Sequence, residues 1–485
     1  KIHSDMTYDE RSLSWNNFKN GKEKIIYLSP EKIMSEDFLN QLKTLDVGLF
    51  VIDEIHCVSK WGHNFRPDYN QLSQLKSLFT NSNIIGFTAT ADQTTRLDIL
   101  KRIFNKNVNV FISSLDRPNL SLSITQKTNW KSQLLEYLID RKSQSGIIYC
   151  LSKKKTEEVT SLLNDKGFNA STYHAGLDGQ VRKNVQDTFM TEQAHIVVAT
   201  IAFGMGIDKP DIRFVIHLNL PGSVEAYSQE IGRAGRDGNA SDTLLIYGLD
   251  DLVVRRRMIE ENSSEDKFKF HENKRLDYLL SYCETPECRR KVLLSYFDEE
   301  SKNCNNCDNC IDPPSLIDGT ILAQKLLSTV YRTGQFYGQV HIINVLRGSE
   351  DKKILDKGHQ KLSVYGLGKD KTKEFWQSFL RQMLAYGHLK INFQKYGAIE
   401  ITNTGIQVLK NVQKFMYKEI PTKPVKDIIK PIKYLNKELS TDDNILLNKL
   451  KSLRLDIAKQ QRLPAYTVFH AVSYTHLTLP TIVSV

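Results

Sequence analysis

Short apolar runs alternate with stretches of helical periodicity over the first half of the chain. Seven runs have the length and composition of buried strands: 24–30, 47–53, 83–90, 145–150, 170–176, 195–200 and 213–219. Stretches of helical period separate them, as from Glu36 to Leu45. Buried strands that alternate with helices predict parallel sheets, and the repetition of the pattern beyond about residue 118 predicts two α/β domains.

The second half of the chain is predominantly helical. Residues 256–312 are charged and helical, and residues 369–387 form an amphipathic pattern with basic residues at its start. Two short strands around a turn follow within 389–402, which is a winged-helix pattern. Residues 411–440 contain Lys and Pro and are interpreted as a linker, and a short helix is predicted over 442–461.

Composition narrows the class of protein. The 485 residues suggest about three domains, and 40% hydrophobic with 25% charged residues exclude a disordered chain. A net charge of +10 permits a nucleic-acid partner without establishing one. Five of the seven cysteines lie between Cys283 and Cys310, which indicates a metal site in a reducing compartment. The chain carries no secretory signal, so we expect an intracellular protein.

The two ends of the chain differ from the rest. Residue 1 is Lys rather than Met, so we expect the chain to be a piece with sequence upstream. Residues 463–485 contain no Asp, Glu, Lys or Arg. Their polar residues and two prolines argue against a membrane span. We interpret the last fifteen residues, 471–485, as non-native.

An acidic pair directly follows one predicted strand. Asp53 could bind Mg²⁺ at the strand end, and Glu54 could orient and deprotonate an attacking water. Taken alone, two solvated acids at a strand end are the commoner explanation. A second pattern changes that balance, since Arg233 and Arg236 lie three residues apart in YSQEIGRAGRDG. If the segment is helical, both guanidiniums share one face and could stabilise phosphate charge; a basic helix face is the alternative.

Four cysteines have the spacing of a metal site. Cys288, Cys304, Cys307 and Cys310 give C-x15-C-x2-C-x2-C. Four thiolates at this spacing can close a tetrahedral site around Zn²⁺. An iron–sulfur cluster or redox-active thiols remain alternatives. Cys283 is interpreted as a spare cysteine and Cys150 as a small core residue of a strand, and Cys57 receives no role.

Together these motifs resemble the superfamily 2 helicases, and specifically the RecQ DNA helicases, over about residues 20–465. The most distinctive stretch is CVSKWGHNFRPDY at 57–69. The resemblance implies that this loop couples single-stranded DNA to ATP hydrolysis, with Trp61 and Phe65 stacking on bases, Arg66 binding phosphate and His63 in the same DNA-binding loop. One departure is Ile55, where the family usually has Ala, and we expect only a packing adjustment there.

The resemblance also implies further roles. ATP and Mg²⁺ would bind between the two α/β domains, with Asp53 on the metal and Glu54 on water. His56 and Gln229 would sense the nucleotide state, and Thr88 and Thr90 would couple hydrolysis to domain motion. Gly204, Gly206 and Asp208 would shape a loop of the second domain, and Arg233 and Arg236 would meet the phosphates.

The implied fold class is α/β, with two RecA-like domains followed by a helical zinc-binding subdomain and a winged-helix domain. The first RecA-like domain is expected to be incomplete. The expected divisions are 1–118, 119–255, 256–312, 313–410, the linker 411–440, the start of an HRDC domain at 441–470, and the tail 471–485. The zinc is expected to be structural, and the winged helix to dock duplex DNA. The expected partners are single-stranded and forked duplex DNA, without a membrane.

The sequence lacks one motif that the resemblance requires. No G-x-x-x-x-G-K-[ST] phosphate loop occurs; Gly21-Lys22, for example, is followed by Glu23. We therefore expect poor folding of the first domain and weak or absent ATP hydrolysis by this polypeptide. Two hypotheses remain: an ATP-dependent 3′-to-5′ DNA helicase, or a non-hydrolysing, zinc-containing DNA-binding protein. An RNA helicase is a third, which the aromatic loop and cysteine site disfavour.

Overall fold

A computed structural model gives the fold of the chain. The structure describes residues 2, 6–59, 66–104, 108–192, 194–204, 207–262, 266–392, 395, 397–419, 449–450, 452–454, 456–457 and 460. The chain divides into two compact units, the first of residues 1–114 with 296–299 and the second of residues 115–295 with 300–485. No helix of the described residues is both long and apolar enough to cross a bilayer.

The first unit combines short helices with a two-stranded parallel sheet. Its elements are α1 (Tyr8–Lys19), α2 (Pro30–Ile33), α3 (Glu36–Leu42), β1 (Leu49–Ile52), α4 (Pro67–Gln71), α5 (Leu75–Leu78), β2 (Asn83–Gly86) and α6 (Gln93–Ile103), with 3₁₀ turns at Ile55–Val58 and Leu72–Gln74. Helix α1 begins at a capping box, in which the Thr7 and Glu10 side chains each bond the other's backbone amide. Strands β1 and β2 pair in parallel with Leu49 opposite Asn83.

The two faces of this small sheet differ. Phe50 and Ile52 point into a core that includes Phe38, Leu75 and Ile99. The alternate residues face outward: Leu49, Val51, Ile85 and Phe87 are between 42% and 56% exposed. Strand alternation explains the pattern, because successive side chains point to opposite faces. The outward face is apolar, as expected for a sheet buried on both sides.

One predicted strand of the first unit does not form. Residues 25–29 belong to no helix or strand, and Ile25 and Tyr27 are exposed. An apolar run becomes a strand only when a neighbouring strand pairs with it, and no described strand pairs with this run. The Ile2 amide donates one hydrogen bond to the Tyr27 carbonyl, which does not make a ladder. Ser29 instead caps α2, which begins at Pro30.

A six-stranded parallel sheet organises the second unit. Its elements are β3 (Leu120–Gln126), α7 (Trp130–Leu138), a 3₁₀ turn (Ile139–Arg141), β4 (Ser145–Tyr149), α8 (Lys153–Asp165), β5 (Asn169–Tyr173), α9 (Gly179–Thr191), β6 (His195–Ala199), β7 (Ile212–His217), α10 (Val224–Ile231) and β8 (Ser241–Tyr247). The strand order is β3-β8-β7-β4-β6-β5. The four predicted strands are confirmed as β4 to β7. The pattern did not predict β3 and β8, whose Ser, Asp and Thr residues interrupt the apolar run.

Helices dominate the rest of the second unit. The elements are α11 (Leu249–Asn262), α12 (Asp266–Glu284), α13 (Arg289–Tyr296), α14 (Asp308–Ile311), β9 (Leu316–Asp318), α15 (Thr320–Arg332), α16 (Gln339–Arg347), α17 (Lys352–Asp356), a 3₁₀ turn (His359–Lys361), α18 (Lys373–Ala385), β10 (Leu389–Asn392), β11 (Ala398–Ile401), α19 (Asn403–Leu409) and β12 (Met416–Lys418). Strands β10 and β11 pair antiparallel, as the winged-helix pattern predicts.

Two details differ from expectation. Residues 416–418, predicted as linker, form β12 and pair with β9, with Met416 opposite Asp318. The amphipathic helix predicted at 369–387, with basic residues at its start, forms as α18, but it is buried more completely than an amphipathic pattern predicts, since Trp376 and every residue from Ser378 to Leu384 are buried. This helix therefore belongs to the core of the domain. The predicted linker beyond residue 419, most of the predicted helix at 442–461 and the tail lie outside the described residues.

A pair of histidines should make the winged-helix region sensitive to acid. His341 Nε2 lies 2.8 Å from His359 Nδ1, and Tyr337 stacks on His341. Burial and then the charge of the partner lower the pKa of His341, and burial and Lys357 lower that of His359. Asp351 opposes the first shift, and Lys353 adds to it.

Because both pKa values are lowered on folding, the unfolded chain binds more protons than the folded chain in mildly acidic solution. The free energy of unfolding should therefore decrease as the pH falls below about 6.5. We expect His341→Phe to keep the ring stacking and to flatten the fall in melting temperature between about pH 7 and pH 5. Differential scanning fluorimetry across that range measures it. Equal slopes for the two proteins would contradict the expectation.

Candidate functional site

The acidic pair lies in a strained turn at the carboxyl end of β1. Glu54 has a φ of 50°, in the left-handed region, and its amide donates to Asp53 Oδ1 at 2.9 Å. Asp53 itself is exposed. A carboxylate exposed at the end of a parallel strand suits a hydrated Mg²⁺, since that ion keeps several waters and binds one or two carboxylates. A non-glycine residue in this conformation is uncommon and often marks a functional site.

His56 connects this turn to the end of β2. The side chain is 1% exposed, and its Nδ1 lies 3.0 Å from Thr88 Oγ1 and 3.3 Å from Glu54 Oε2. Thr88 Oγ1 also accepts the Thr90 amide at 3.4 Å. The structure therefore brings Glu54, His56, Thr88 and Thr90 into one polar network, although β1 and β2 are separated by 30 residues of sequence. Because of these hydrogen bonds, a displacement of the end of either strand would also displace the end of the other.

Ile55, the departure from the expected motif, is accommodated by a glycine. It is buried in the core of the first unit, and its amide donates to the Phe87 carbonyl at 2.9 Å. A Cβ on Gly86 would lie 2.3 Å from Ile55 Cδ1. The absence of a side chain at Gly86 thus provides the space that the larger residue needs.

Shortening this residue should destabilise the first unit. We expect Ile55→Ala to cost about 2–5 kcal/mol, because a buried side chain is lost and a cavity remains, and Ile55→Val to cost about 0.5–1.5 kcal/mol. Hydrogen exchange of the Ile55 and Phe87 amides, which join the turn to β2, measures the loss. If Ile55→Ala leaves the exchange rates unchanged, the surrounding side chains must fill the cavity without a loss of stability.

The predicted DNA-binding loop is described at its ends. Trp61, His63 and Phe65 lie outside the described residues. Arg66 is exposed, and its amide donates to the Cys57 carbonyl at 3.0 Å, which closes the loop. Burial raises the pKa of Cys57 to about 11, while the nearby charge of Arg66 acts in the opposite direction.

The two predicted arginines lie beyond α10 and not on it. Helix α10 ends at Ile231, with Gln229 in its last turn, and residues 232–237 form consecutive turns. The helical spacing argument for the arginine pair is therefore wrong, because Gly232 and Gly235 follow the helix and Gly235 takes a positive φ. The consecutive turns, and not a helix, bring the two side chains onto the same loop.

Both arginines contact the loop of Gly204 and Asp208, which the resemblance implies faces nucleotide and DNA. Arg233 Nη1 donates to the Gly204 carbonyl, and Arg236 Nη1 pairs with Asp208 Oδ1 at 2.6 Å. A Cβ on Gly204 would lie 2.4 Å from Arg233 Nη2, so a larger residue there would displace the guanidinium from this position. Gly206 lies outside the described residues.

The four predicted cysteines converge. The sulfur atoms of Cys288, Cys304, Cys307 and Cys310 all lie within 4.8 Å of one another. A tetrahedral site with Zn–S bonds of about 2.3 Å has sulfurs about 3.8 Å apart, so this arrangement fits zinc. Hydrogen bonding with Cys304, followed by burial, raises the pKa of Cys307 well above its ordinary value. Without a cation the Cys307 thiol would therefore keep its proton, and a divalent metal would replace that proton.

Backbone amides and a buried ion pair support the cluster. The Cys304 amide donates to Cys288 Sγ at 3.3 Å, and the Arg289 amide to Cys307 Sγ at 3.4 Å. Arg289 Nε lies 2.8 Å from Asp308 Oδ1, and both side chains are buried. Sequence reasoning missed Arg289 and Asp308, although each directly follows a predicted ligand, which was the available signal.

The chain matches four protein families in sequence order. Residues 1–98 match the DEAD/DEAH box helicases, 130–238 the helicase conserved C-terminal domain, 249–311 the RecQ zinc-binding domain and 313–426 the RQC domain. These matches confirm the predicted fold class of two RecA-like parallel-sheet domains, a zinc-binding subdomain and a winged-helix domain.

Curated relatives match nearly the whole chain. The ATP-dependent DNA helicase RecQ of Pasteurella multocida is 40% identical over 97% of this chain and 74% of its own length. The Bacillus subtilis protein of the same name is 33% identical over 96% of this chain and 77% of its own. Among solved structures, Mycobacterium smegmatis helicase Lhr bound to ssDNA and AMP-PNP is 16% identical, with a TM-score of 0.42 over 82% of this chain and 47% of that one.

Proposed function

The chain belongs to the RecQ family of ATP-dependent DNA helicases. From that membership we propose that it is part of a helicase that unwinds forked duplex DNA with 3′-to-5′ polarity. The enzyme class is that of an ATP-hydrolysing helicase. The observation that best supports the proposal is the polar network of Glu54, His56, Thr88 and Thr90 next to Asp53, because it supplies metal binding, water activation and coupling in one place.

Each residue of the site receives a role in this proposal. Asp53 holds Mg²⁺, and Glu54 takes the proton of the attacking water. His56, through Thr88, reports the state of that carboxylate to the end of β2. Arg233 and Arg236 stabilise charge on the transferred phosphoryl group, and Gln229 contributes to nucleotide sensing. Bound ATP and Mg²⁺ supply the scissile phosphoanhydride and its charge neutralisation.

DNA is proposed to bind at two places. Trp61 and Phe65 stack on single-stranded bases, while Arg66 takes a phosphate from its exposed position. The winged-helix region docks the duplex, and because α18 is buried, its contacts come from elements other than the body of that helix. We propose that this helicase acts in DNA repair, recombination and replication. We expect it to act in the cell compartment that contains the DNA.

A second function is favoured by one observation on this polypeptide. Its 485 residues contain no G-x-x-x-x-G-K-[ST] segment, and that loop normally supplies the amides and the Lys that hold the β- and γ-phosphates. We propose that the chain as given binds DNA and hydrolyses ATP weakly or not at all. In that state it acts as a zinc-containing DNA-binding protein.

An ATPase measurement distinguishes the two functions. We expect the purified 485-residue chain to bind single-stranded DNA in fluorescence anisotropy and to show no DNA-stimulated release of phosphate. The control is Glu54→Gln, which removes the proposed base and keeps its size. Hydrolysis that DNA stimulates and Glu54→Gln abolishes would contradict the proposed deficit and show that another segment holds the phosphates. Absence of DNA binding would contradict both functions.

A further inference from the structure

The segment that precedes β3 contains an arginine directed at the arginine loop, which we define as residues 232–236. Arg117 Nη1 donates to the Gly232 carbonyl at 3.2 Å. Its Nη2 donates to the carbonyls of Ala234 at 3.0 Å and Gly235 at 2.7 Å. One planar, always-charged group thus binds three main-chain oxygens on a loop that also carries Arg233 and Arg236.

Asn119 completes the contact. Its Nδ2 donates to the Gly235 carbonyl at 2.8 Å and to the Asn239 carbonyl at 2.9 Å. Gly235 has a φ of +57°, and a Cβ there would lie 2.5 Å from Asn119 Nδ2. The loop therefore follows a path that requires both a glycine and the two side chains that reach it from residues 117–119.

Two residues of the zinc-binding subdomain also make hydrogen bonds to the segment of residues 116–120. Arg290 Nη1 lies 3.1 Å from Asp116 Oδ1, and its Nη2 donates to the Leu120 carbonyl. Asn306 Nδ2 donates to the Pro118 carbonyl at 3.0 Å and to the Leu120 carbonyl at 3.1 Å. Arg290 follows the ligand Cys288 by two positions, and Asn306 directly precedes the ligand Cys307. Residues 116–120 thus lie between the metal cluster and the arginine loop.

A charge argument separates this contact from ordinary stabilisation. Burial, followed by the positive charge of Arg236, lowers the pKa of Arg117. The carboxylate of Asp237 acts in the opposite direction, but the hydrogen-bond partners of the Arg117 guanidinium are neutral carbonyls, and the neighbouring cation makes the contact less favourable for stability alone. The same placement fixes the peptide groups of Gly232, Ala234 and Gly235, and a pair of phosphate-binding arginines needs a loop that is held in this way.

We propose that Arg117 is a positioning residue that fixes the arginine loop, and that the zinc-binding subdomain fixes Arg117 in turn. The proposal rests on the proposed roles of Arg233 and Arg236. It assigns the metal cluster a second consequence, since loss of zinc would release residues 116–120 and through them the two arginines.

Hydrogen exchange followed by mass spectrometry tests the positioning on the intact, zinc-loaded chain. The Gly235 amide donates to the Ile212 carbonyl and the Asp237 amide to the Pro210 carbonyl, so both report on the loop. In Arg117→Ala we expect these amides to exchange about tenfold faster, as for the loss of about one hydrogen bond, with β6 and β7 unchanged. Arg117→Lys, which keeps the charge and reaches fewer carbonyls, should restore part of the protection.

Arg141→Ala is the matched control. Arg141 also donates to a main-chain carbonyl, that of Tyr137 at 2.8 Å, and pairs with Asp242 at 2.7 Å, but it does not contact the arginine loop. It should lower the melting temperature and leave exchange at 235–237 as in the wild type. Loop exchange that is unchanged in Arg117→Ala, or that rises equally across β6 and β7, would overturn the proposal. If Arg117→Ala does not fold, the same comparison is made with Arg117→Lys.

Removal of zinc with a chelator tests the second half. We expect faster exchange at 120–124 and, with it, at 235–237. Protection of the loop that survives the loss of zinc would overturn the link to the metal. Because exchange needs no hydrolysis, failure of this proposal is distinct from failure of the ATPase prediction.

Discussion

Cys307→Ser should release the zinc ion and unfold the segment around it. Cys307 is fully buried, its sulfur accepts a hydrogen bond from the Arg289 amide, and it directly precedes the short helix α14. Binding of structural zinc contributes about 10–16 kcal/mol in zinc-finger peptides near neutral pH, so loss of one of four ligands should cost several kcal/mol. The loss would spread, because the Leu122 amide of edge strand β3 bonds the Asn306 carbonyl and the Ile124 amide bonds Asp308.

Two measurements check this expectation. Zinc released by a thiol reagent and titrated with a chromogenic chelator should fall from one ion per chain to near zero, and the melting temperature should drop. Cys283→Ala is the control, because Cys283 is buried on α12 and lies outside the cluster. A Cys307→Ser chain that retains a full zinc ion and the wild-type melting temperature would refute the assignment. Visible absorbance of the purified protein would indicate an iron–sulfur cluster instead.

The metal site was predictable because its chemistry is local. Three of its ligands lie within seven residues of sequence, so spacing alone brings them together. The network around His56 was less accessible, because its contact with Thr88 depends on the pairing of β1 with β2. Motif order identified the residues, and the partner of each had to come from the tertiary structure.

The strands show where the pattern of apolar residues succeeds and fails. Strands β4, β6 and β7 are central in the sheet and apolar on both faces, so continuous apolar runs predicted them. Edge strand β3 contains Ser121 and Ser123, which weaken the signal. The run at 24–30 failed in the opposite way, since no described strand pairs with it. Pairing is a property of two segments, and one segment's pattern cannot specify it.

A buried ionic network joins three parts of the second unit, and sequence gave no sign of it. Arg381 of α18 lies 2.8 Å from Glu284 Oε1 at the end of α12, and Tyr247 at the end of β8 donates to the same carboxylate oxygen. Burial alone would raise the pKa of Glu284, but Arg381 and then Lys418 outweigh it and hold that pKa below its ordinary value. The network therefore connects the sheet, the zinc-binding subdomain and the winged-helix domain.

Arg381→Met should break this connection. The variant keeps the apolar stem of the side chain and removes the cation that contacts Glu284, which is 4% exposed, so that only the charge of Lys418 opposes its burial; we expect a loss of about 3–5 kcal/mol. Chemical unfolding measures it. Arg332→Met, on an exposed arginine of α15, is the control and should change stability by less than about 0.5 kcal/mol.

The pH dependence of the loss identifies its cause. In the wild type the pKa of Glu284 is lowered, so its contribution is present above about pH 4.5 and is lost as the pH falls below that. Without Arg381, burial would raise the pKa, and the carboxyl group would take a proton at mildly acidic pH. The difference between Arg381→Met and the wild type should therefore narrow as the pH falls from about 7 to about 5. A difference that stays constant over this range would show that lost packing, and not the unpaired carboxylate, is responsible. The double variant Arg381→Met/Glu284→Gln should recover part of the stability at pH 7, because it removes the buried charge that the single variant leaves behind.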